Sequence, residues 1–279
     1  MTLILDGLNV FIRAKSSAFK AKNKTKSTIE NFLSIFPPLN KLLPKKIIII
    51  WEHPDYGEKR RLVPTYKTNR NPIIDTQLIG EIKKLCFYLG ITQYEWIGKE
   101  ADECAAYLSY KYPYEKLFFY SADKDWLQLC DNNNHNVLLP SSLTTIKTNL
   151  GSYQLYNKAR FVGEFKFSPY KYPLYKTIVG DCSDNVKSMG GIDKITIAEL
   201  MLKYDSIEGV LTETFNPRIQ EYINANKQLI VNSYHTMNLL RDYDGVRDEE
   251  FKITESKRDL QMLVGFFKLH KIADKFKIQ

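Results

Sequence analysis

Gly98-Lys99-Glu100-Ala101-Asp102-Glu103 sets three carboxylates within four positions, where a polar turn gives way to the apolar run Cys104-Ala105-Ala106-Tyr107-Leu108. Acids in the first turn of a helix gain ~0.3–1 kcal/mol each from its dipole. Packed this closely they also repel one another, and ionising all of them is costly unless a cation neutralises the group. A divalent metal would supply that cation. The stretch reads equally as an ordinary acidic helix start with capping character, so the choice rests on what surrounds it.

Working outward, acids recur where apolar runs end. Leu3-Ile4-Leu5 predicts a short buried strand closed by Asp6, with Gly7 for a turn and then Asn9. A carboxylate beyond a strand end suits a ligand site in an open parallel sheet, and a helix-capping Asp fits the same segment. Ile47-Ile48-Ile49-Ile50 predicts a strand buried on both faces, ending in Trp51-Glu52. Residues 93–97 predict a strand leading into the acidic cluster. Leu117-Phe118-Phe119-Tyr120 predicts another, running into Ser121-Ala122-Asp123-Lys124-Asp125. Helices are expected over 27–43, strained or ended by Pro37-Pro38, over 75–89, from Cys104, and from Trp126. Strands alternating with helices define an α/β class with a mainly parallel central sheet and flanking helices. Acids converging from several strand ends would then share one edge.

After about Phe165 the texture shifts to Tyr, Lys, Pro and helical segments, so a second, helical lobe is expected over 166–279, after an α/β core over 1–165. It contains Gly180-Asp181-Cys182-Ser183-Asp184-Asn185, then Met189-Gly190-Gly191-Ile192-Asp193-Lys194, then a helix from Thr196 to Tyr204. Helix, glycine turn, helix is a design that presents backbone N–H groups to a phosphate. Segments 216–240 and 258–276 read as helices completing this lobe.

The chain has 279 residues, 44% of them hydrophobic, enough for a packed core. A formal charge of +8 points to an anionic partner, nucleic acid ahead of a membrane surface. Basic residues cluster in Arg13 to Lys26 and in the loop carrying Lys59, Arg60, Arg61, Lys67 and Arg70, although such runs are often only solvated faces. Four cysteines without CxxC spacing read as reduced and structural, and four histidines lack metal-ligand spacing. No apolar run approaches the roughly 18 residues of a membrane span. A soluble, cytoplasmic setting is expected.

With these residues laid out, the chain resembles the flap endonuclease family, in particular the bacterial and phage 5′ nucleases and the 5′-nuclease domain of bacterial DNA polymerase I. Leu5-Asp6-Gly7 is similar to the first motif, Trp51-Glu52 stands where the family has an Asp, and Tyr66-Lys67-Thr68-Asn69-Arg70 resembles YKxxR. Glu100-Ala101-Asp102-Glu103 resembles EADD, Ser121 to Asp125 resembles DKD, and residues 180–185 resemble GDxSDN before a helix–hairpin–helix. Six motifs in register are specific.

The resemblance implies a structure-specific 5′ nuclease, a flap endonuclease or 5′-3′ exonuclease acting in replication or repair. It would hydrolyse phosphodiesters in line and leave a 5′-phosphate, with two Mg²⁺ ions for which Mn²⁺ substitutes. Asp6, Glu52, Glu100, Asp102 and Glu103 would hold the first ion. Asp123, Asp125, Asp181 and Asp184 would attract the second, with helix capping the competing reading for Asp181 and Asp184. Lys67 and Arg70, in a basic arch within 53–97, would bind the scissile phosphate, and Asp123 joins them as catalytic. Arg60, Arg61, Tyr66, Gly190, Gly191, Lys194 and Thr196 would contact DNA, Tyr66 by stacking on a base, with a place in the core the competing reading for it as for the chain's other aromatics. The implied substrates are DNA with a 5′ flap or free 5′ end and an RNA primer–DNA hybrid, the implied state is a monomer, and a K⁺ ion is implied at the hairpin. Glu52 and Glu103 depart from the usual Asp, and Asp193 and Ile195 from the hairpin's usual Gly and Lys. Two rivals share parts of this pattern: a flap- or junction-binding protein that no longer cuts, and a PIN-type ribonuclease.

Overall fold

A computed structural model describes residues 1–53, 57–68, 75–140, 153–189, 192–213 and 216–270. Its centre is a 7-stranded sheet of β1 (Thr2–Asp6), β2 (Lys46–Trp51), β3 (Thr92–Trp96), β4 (Leu117–Tyr120), β5 (His135–Pro140), β6 (Tyr153–Tyr156) and β7 (Phe251–Thr254), ordered β6-β5-β4-β1-β2-β3-β7. The strands β1 to β5 run parallel, while β6 and β7 close the two edges antiparallel. Successive side chains of a strand point to opposite faces. Leu3, Leu5, Ile49 and Trp51 therefore enter one core and Ile4, Ile48 and Ile50 the other.

The helices are α1 (Gly7–Ser17), α2 (Lys24–Leu33), α3 (Phe36–Asn40), α4 (Gly57–Leu62), α5 (Thr76–Tyr88), α6 (Ala101–Lys111), α7 (Lys158–Phe165), α8 (Tyr172–Val179), α9 (Lys194–Lys203), α10 (Ile207–Val210), α11 (Pro217–Met237) and α12 (Leu260–Leu269). The first core is closed by α1, α2, α3, α5 and α12, through side chains such as Phe11, Phe32, Leu39, Ile82 and Phe266. The second is closed by α6, α7 and a 3-10 helix, Lys124–Asp131, through Ala105, Leu108, Trp126 and Phe161. A third core joins α8, α9, α10 and α11 around Leu174, Leu200, Val210 and Ile223. Among the described residues no helix is long and apolar enough to cross a membrane.

Three expectations change. The helix over 27–43 is two helices, because Pro37 and Pro38, which lack an N–H to donate, begin α3 rather than continue α2. The helix from Trp126 is of 3-10 type. The C-terminal stretch does not all belong to a helical lobe: β7 pairs with β3 and Leu263, Phe266 and Phe267 of α12 pack into the first core, covering an edge that would otherwise expose unpaired backbone groups. The helical body thus ends near Met237, and the chain comes back to the sheet.

Candidate active site

Four of the parallel strands end at one edge, and each delivers an acid there. Asp6 closes β1, Glu52 follows β2, Glu100 opens α6 after β3, and Asp123 and Asp125 follow β4. Gly7 lets β1 and β2 approach closely, since a Cβ there would lie 2.7 Å from the Trp51 ring and 2.8 Å from the Ile50 carbonyl. Asp6 is held by two donors: the Asn9 N–H at 3.0 Å and the Ser121 hydroxyl at 2.7 Å. Burial nevertheless pushes its carboxyl up to about 6.

Carboxylate oxygens of Glu100, Asp102 and Glu103 lie within 4.8 Å of one another. Two buried lysines reach into this group. The Lys59 ammonium donates to Glu100 Oε2 at 2.5 Å and to both oxygens of Asp102 at 3.1 and 3.3 Å. Lys67 donates to Glu100 Oε1, and the Tyr66 hydroxyl donates to Oε2 at 2.9 Å. Burial raises Asp102 and Glu52 to about 7, with Glu100 and, for Glu52, Asp6 adding repulsion. Burial opposes ionisation of Glu100 as well, but Lys59 and Lys67 draw it down to about 2. When all are ionised, Asp6, Glu52, Glu100 and Asp102 face two ammonium groups, which leaves two negative charges uncovered.

Glu103 is turned elsewhere. Its Oε2 accepts the Glu100 N–H at 3.1 Å, the reach-back half of a capping box, and its Oε1 accepts from Arg241 Nη2 at 2.5 Å. Its partners are thus a backbone N–H and a guanidinium, whereas Glu100 and Asp102 accept from the two buried lysines.

A second group gathers Asp125, Asp181 and Asp184, again with oxygens within 4.8 Å. Lys176 of α8 donates to both Asp125 and Asp181. Burial and Asp123 raise Asp125 to about 7; Asp181, against the effect of burial, is held at about 2 by Lys176 and Ser183. Asp123 caps the 3-10 helix, accepting the Asp125 N–H at 2.9 Å. Asp181 accepts from the Ser183 and Asp184 N–H groups at 2.7 and 3.2 Å, closing a turn rather than capping a helix, since the next helix starts at Lys194. The turn begins at Gly180, whose φ of 78° and approach to the Ser188 nitrogen, 2.5 Å from a built Cβ, leave no room for a side chain.

The basic segment bridges the two groups. The Lys67 N–H donates to the Asp184 carbonyl at 3.0 Å while its side chain reaches Glu100. Asn185 Nδ2 donates to the Thr65 carbonyl at 3.0 Å and to Thr68 Oγ1 at 3.1 Å. Lys67 is held at φ 52°, an unfavourable conformation for a residue with a side chain, of the kind found where function fixes the backbone. Tyr66 does not present its ring for stacking: it is 2% exposed, packed with Val63, Val186 and Met237. Arg60 and Arg61 face solvent, as does Lys194. Arg70, Gly190 and Gly191, and with them the hairpin turn, lie outside the described residues.

At the start of α9, Asp193 accepts the Ile195 and Thr196 N–H groups at 2.9 and 3.0 Å, and its other oxygen accepts the Thr196 hydroxyl at 2.9 Å. The helix end expected to grip a phosphate already carries an anion. Asp193→Gly is expected to tighten DNA binding about two- to fivefold, the equivalent of ~0.3–1 kcal/mol for one charge at a helix end. Fluorescence anisotropy with duplex DNA at low salt checks this.

The sequence reading missed Lys59, Lys176 and Arg241. A signal existed for Lys176, four positions after Tyr172 on the buried face of an otherwise apolar helix. Lys59 was hidden in a basic run, and nothing local marks Arg241.

The donor set suits hard divalent ions: carboxylate oxygens, more negative than the lysines neutralise, and among the described residues no histidine in either group. A pH dependence follows. Asp6, Glu52, Asp102 and Asp125 bind their protons more tightly folded than unfolded, so their contribution to stability is full below about pH 4 and is lost as pH rises through about 6 to 7. In EDTA, Tm should fall between about pH 5 and about pH 8, and divalent ions should flatten the decline; calorimetry at stepped pH measures both.

Comparison with known proteins gives the family. Residues 1–165 match the model described as "5′-3′ exonuclease, N-terminal resolvase-like domain", and the chain belongs to that family. It is similar to a 5′-3′ exonuclease of Aquifex aeolicus, 29% identical over 90% of this chain and 86% of the relative. It is also similar to flap endonuclease Xni of Vibrio cholerae, 28% identical over 74% of this chain and 78% of the relative. A bacteriophage T5 flap endonuclease in a pseudo-enzyme–product complex with DNA and metal ions shares the fold, with a TM-score of 0.64 at 19% identity over 86% of this chain and 89% of that one.

Proposed function

We propose that the chain is a structure-specific 5′ nuclease that hydrolyses DNA phosphodiesters near free 5′ ends and flap junctions. The observation that carries this reading is the bridging by Lys67, whose backbone binds the Asp184 carbonyl and whose side chain binds Glu100, so that one segment spans both carboxylate groups. The names of the relatives, 5′-3′ exonuclease and flap endonuclease, support it.

Asp6, Glu52, Glu100 and Asp102 would hold one divalent ion, and Asp123, Asp125, Asp181 and Asp184 a second, with Glu103 supporting Glu100 from behind. Such ions, when bound, neutralise charge on the phosphate and activate water. Lys67 is suited to bind the scissile phosphate and to stabilise charge developing on it, since its ammonium already stands among the carboxylates that would hold the ion. Ser121 and Asn9 orient Asp6 and tie the ends of β1 and β4 together. Arg60, Arg61 and Lys194 would follow the phosphate backbone, which positions DNA without reading sequence, so selectivity comes from shape.

Mg²⁺ is the expected ion, with Mn²⁺ in substitution; K⁺ at the hairpin, action on RNA primer–DNA hybrids, a monomeric state and a cytoplasmic location complete the reading. The body around α8 to α11 would be the lobe that grips duplex. The test is cleavage of a flap DNA labelled at its 5′ end beside a matched single strand. Cutting near the junction with the single strand spared supports the proposal; equal cutting of both, or tight binding without cutting, overturns it.

A further inference from the structure

We infer that Lys59 is the internal counter-cation of the first carboxylate group: it holds Glu100 and Asp102 together before a divalent ion binds, and its displacement sets the affinity for that ion. The inference rests on the metal-binding role proposed above.

Lys59 is unlike its neighbours in the basic segment. Arg60 and Arg61 point to solvent, whereas Lys59 is 6% exposed and its ammonium touches both carboxylates. A buried ammonium is tolerated only with such pairing, and two buried carboxylates side by side need a cation just as much. The seat is built from both sides. Glu58-Lys59 of α4 lies against Lys99-Glu100 at the start of α6, and the pairs bond crosswise, Lys59 to Glu100 and Lys99 to Glu58. The Tyr66 ring lies below, its centroid 5.7 Å from the Lys59 ammonium.

An ion held by Glu100 and Asp102 needs the oxygens that Lys59 occupies. Binding must therefore displace the ammonium, and the lost contacts are subtracted from the ion's affinity, as with any site whose competent state is a minority. Because Lys59 is anchored in α4, loading the ion loosens one of the two cross-bonds that hold α4 against α6. Glu58–Lys99 keeps the other.

Lys59→Met, Lys59→Arg and Lys84→Met, beside the unaltered protein, test this by Mg²⁺ titration calorimetry and by thermal unfolding in EDTA and in Mg²⁺. Lys59→Met should bind Mg²⁺ about tenfold tighter, melt lower in EDTA, and recover in Mg²⁺. Lys59→Arg, which keeps the cation, should restore the original affinity, and Lys84→Met, which removes an exposed lysine of α5 paired with Glu81, should leave it unchanged. If Lys59→Met folds only when Mg²⁺ is present, the inference stands, and Lys59→Gln then supplies the affinity. Unchanged or weaker Mg²⁺ binding by Lys59→Met overturns the inference alone. Failure of the unaltered protein to bind Mg²⁺ would overturn it together with the reading on which it rests.

Discussion

Replacing Lys67 by alanine is expected to slow flap cleavage by about two to three orders of magnitude, the usual cost of removing one fixed group that stabilises transition-state charge. Lys67 is buried and stays protonated because Glu100 and Asp102 outweigh the effect of burial. It is the one described cation bonded to the first carboxylate group whose own backbone is bonded to the turn bearing the second. Alanine removes the ammonium and leaves that backbone bond, so the architecture should persist: Lys59 still neutralises Glu100. Single-turnover cleavage and thermal unfolding, measured side by side, separate the outcomes. Near-normal cleavage would remove Lys67 from the chemistry, and a large drop in Tm would make it structural.

Asp102→Asn should act on stability and activity in opposite directions. In the metal-free protein Asp102 sits beside Glu100 and Glu103, with burial raising its carboxyl to about 7, so at neutral pH its negative charge is held at a cost. Asparagine removes the charge and keeps the shape. In EDTA near pH 8, relief of ~1 kcal/mol would raise Tm by about 2–4 °C for a domain of this size. Activity should fall by more than about a hundredfold, since even groups that only support metal ligands cost about 10- to 100-fold when removed. A variant that melts higher in EDTA, gains less from Mg²⁺ and no longer cuts is the expected result. One that melts lower in EDTA would mean that the Lys59 pairing outweighs the repulsion.

What the sequence revealed and what it hid follow from the range of the interactions. Asp6, Glu52, Asp123 and the acidic start of α6 were legible because an apolar run that ends in an acid is a local pattern, and the parallel sheet brings such ends to one edge. The α/β class was legible for the same reason. The edge strands β6 and β7 were not, being short and paired only because the sheet needed closing. The partners of the acids were hidden too. Nothing beside Glu103 announces Arg241, 138 positions away, which bonds one of its oxygens. Lys59 looks like surface charge until the fold buries it among carboxylates, Lys67 is singled out by its motif while its bond to Glu100 is not, and Tyr66 looks like a stacking platform until Val186 and Met237 close over it. Asp193 was noticed as a departure, but its effect on the N-terminus of α9 appears only once both N–H groups are seen to donate to it.

The central claim is that the two carboxylate groups and Lys67 form one metal-dependent centre for cutting 5′ flaps. It is tested most directly by stripping the protein with EDTA, removing the chelator, and following cleavage of a flap DNA as Mg²⁺ is titrated back. The account predicts no cutting in EDTA and a rate that rises with Mg²⁺ more steeply than one bound ion allows. Cleavage that continues undiminished in EDTA would contradict it.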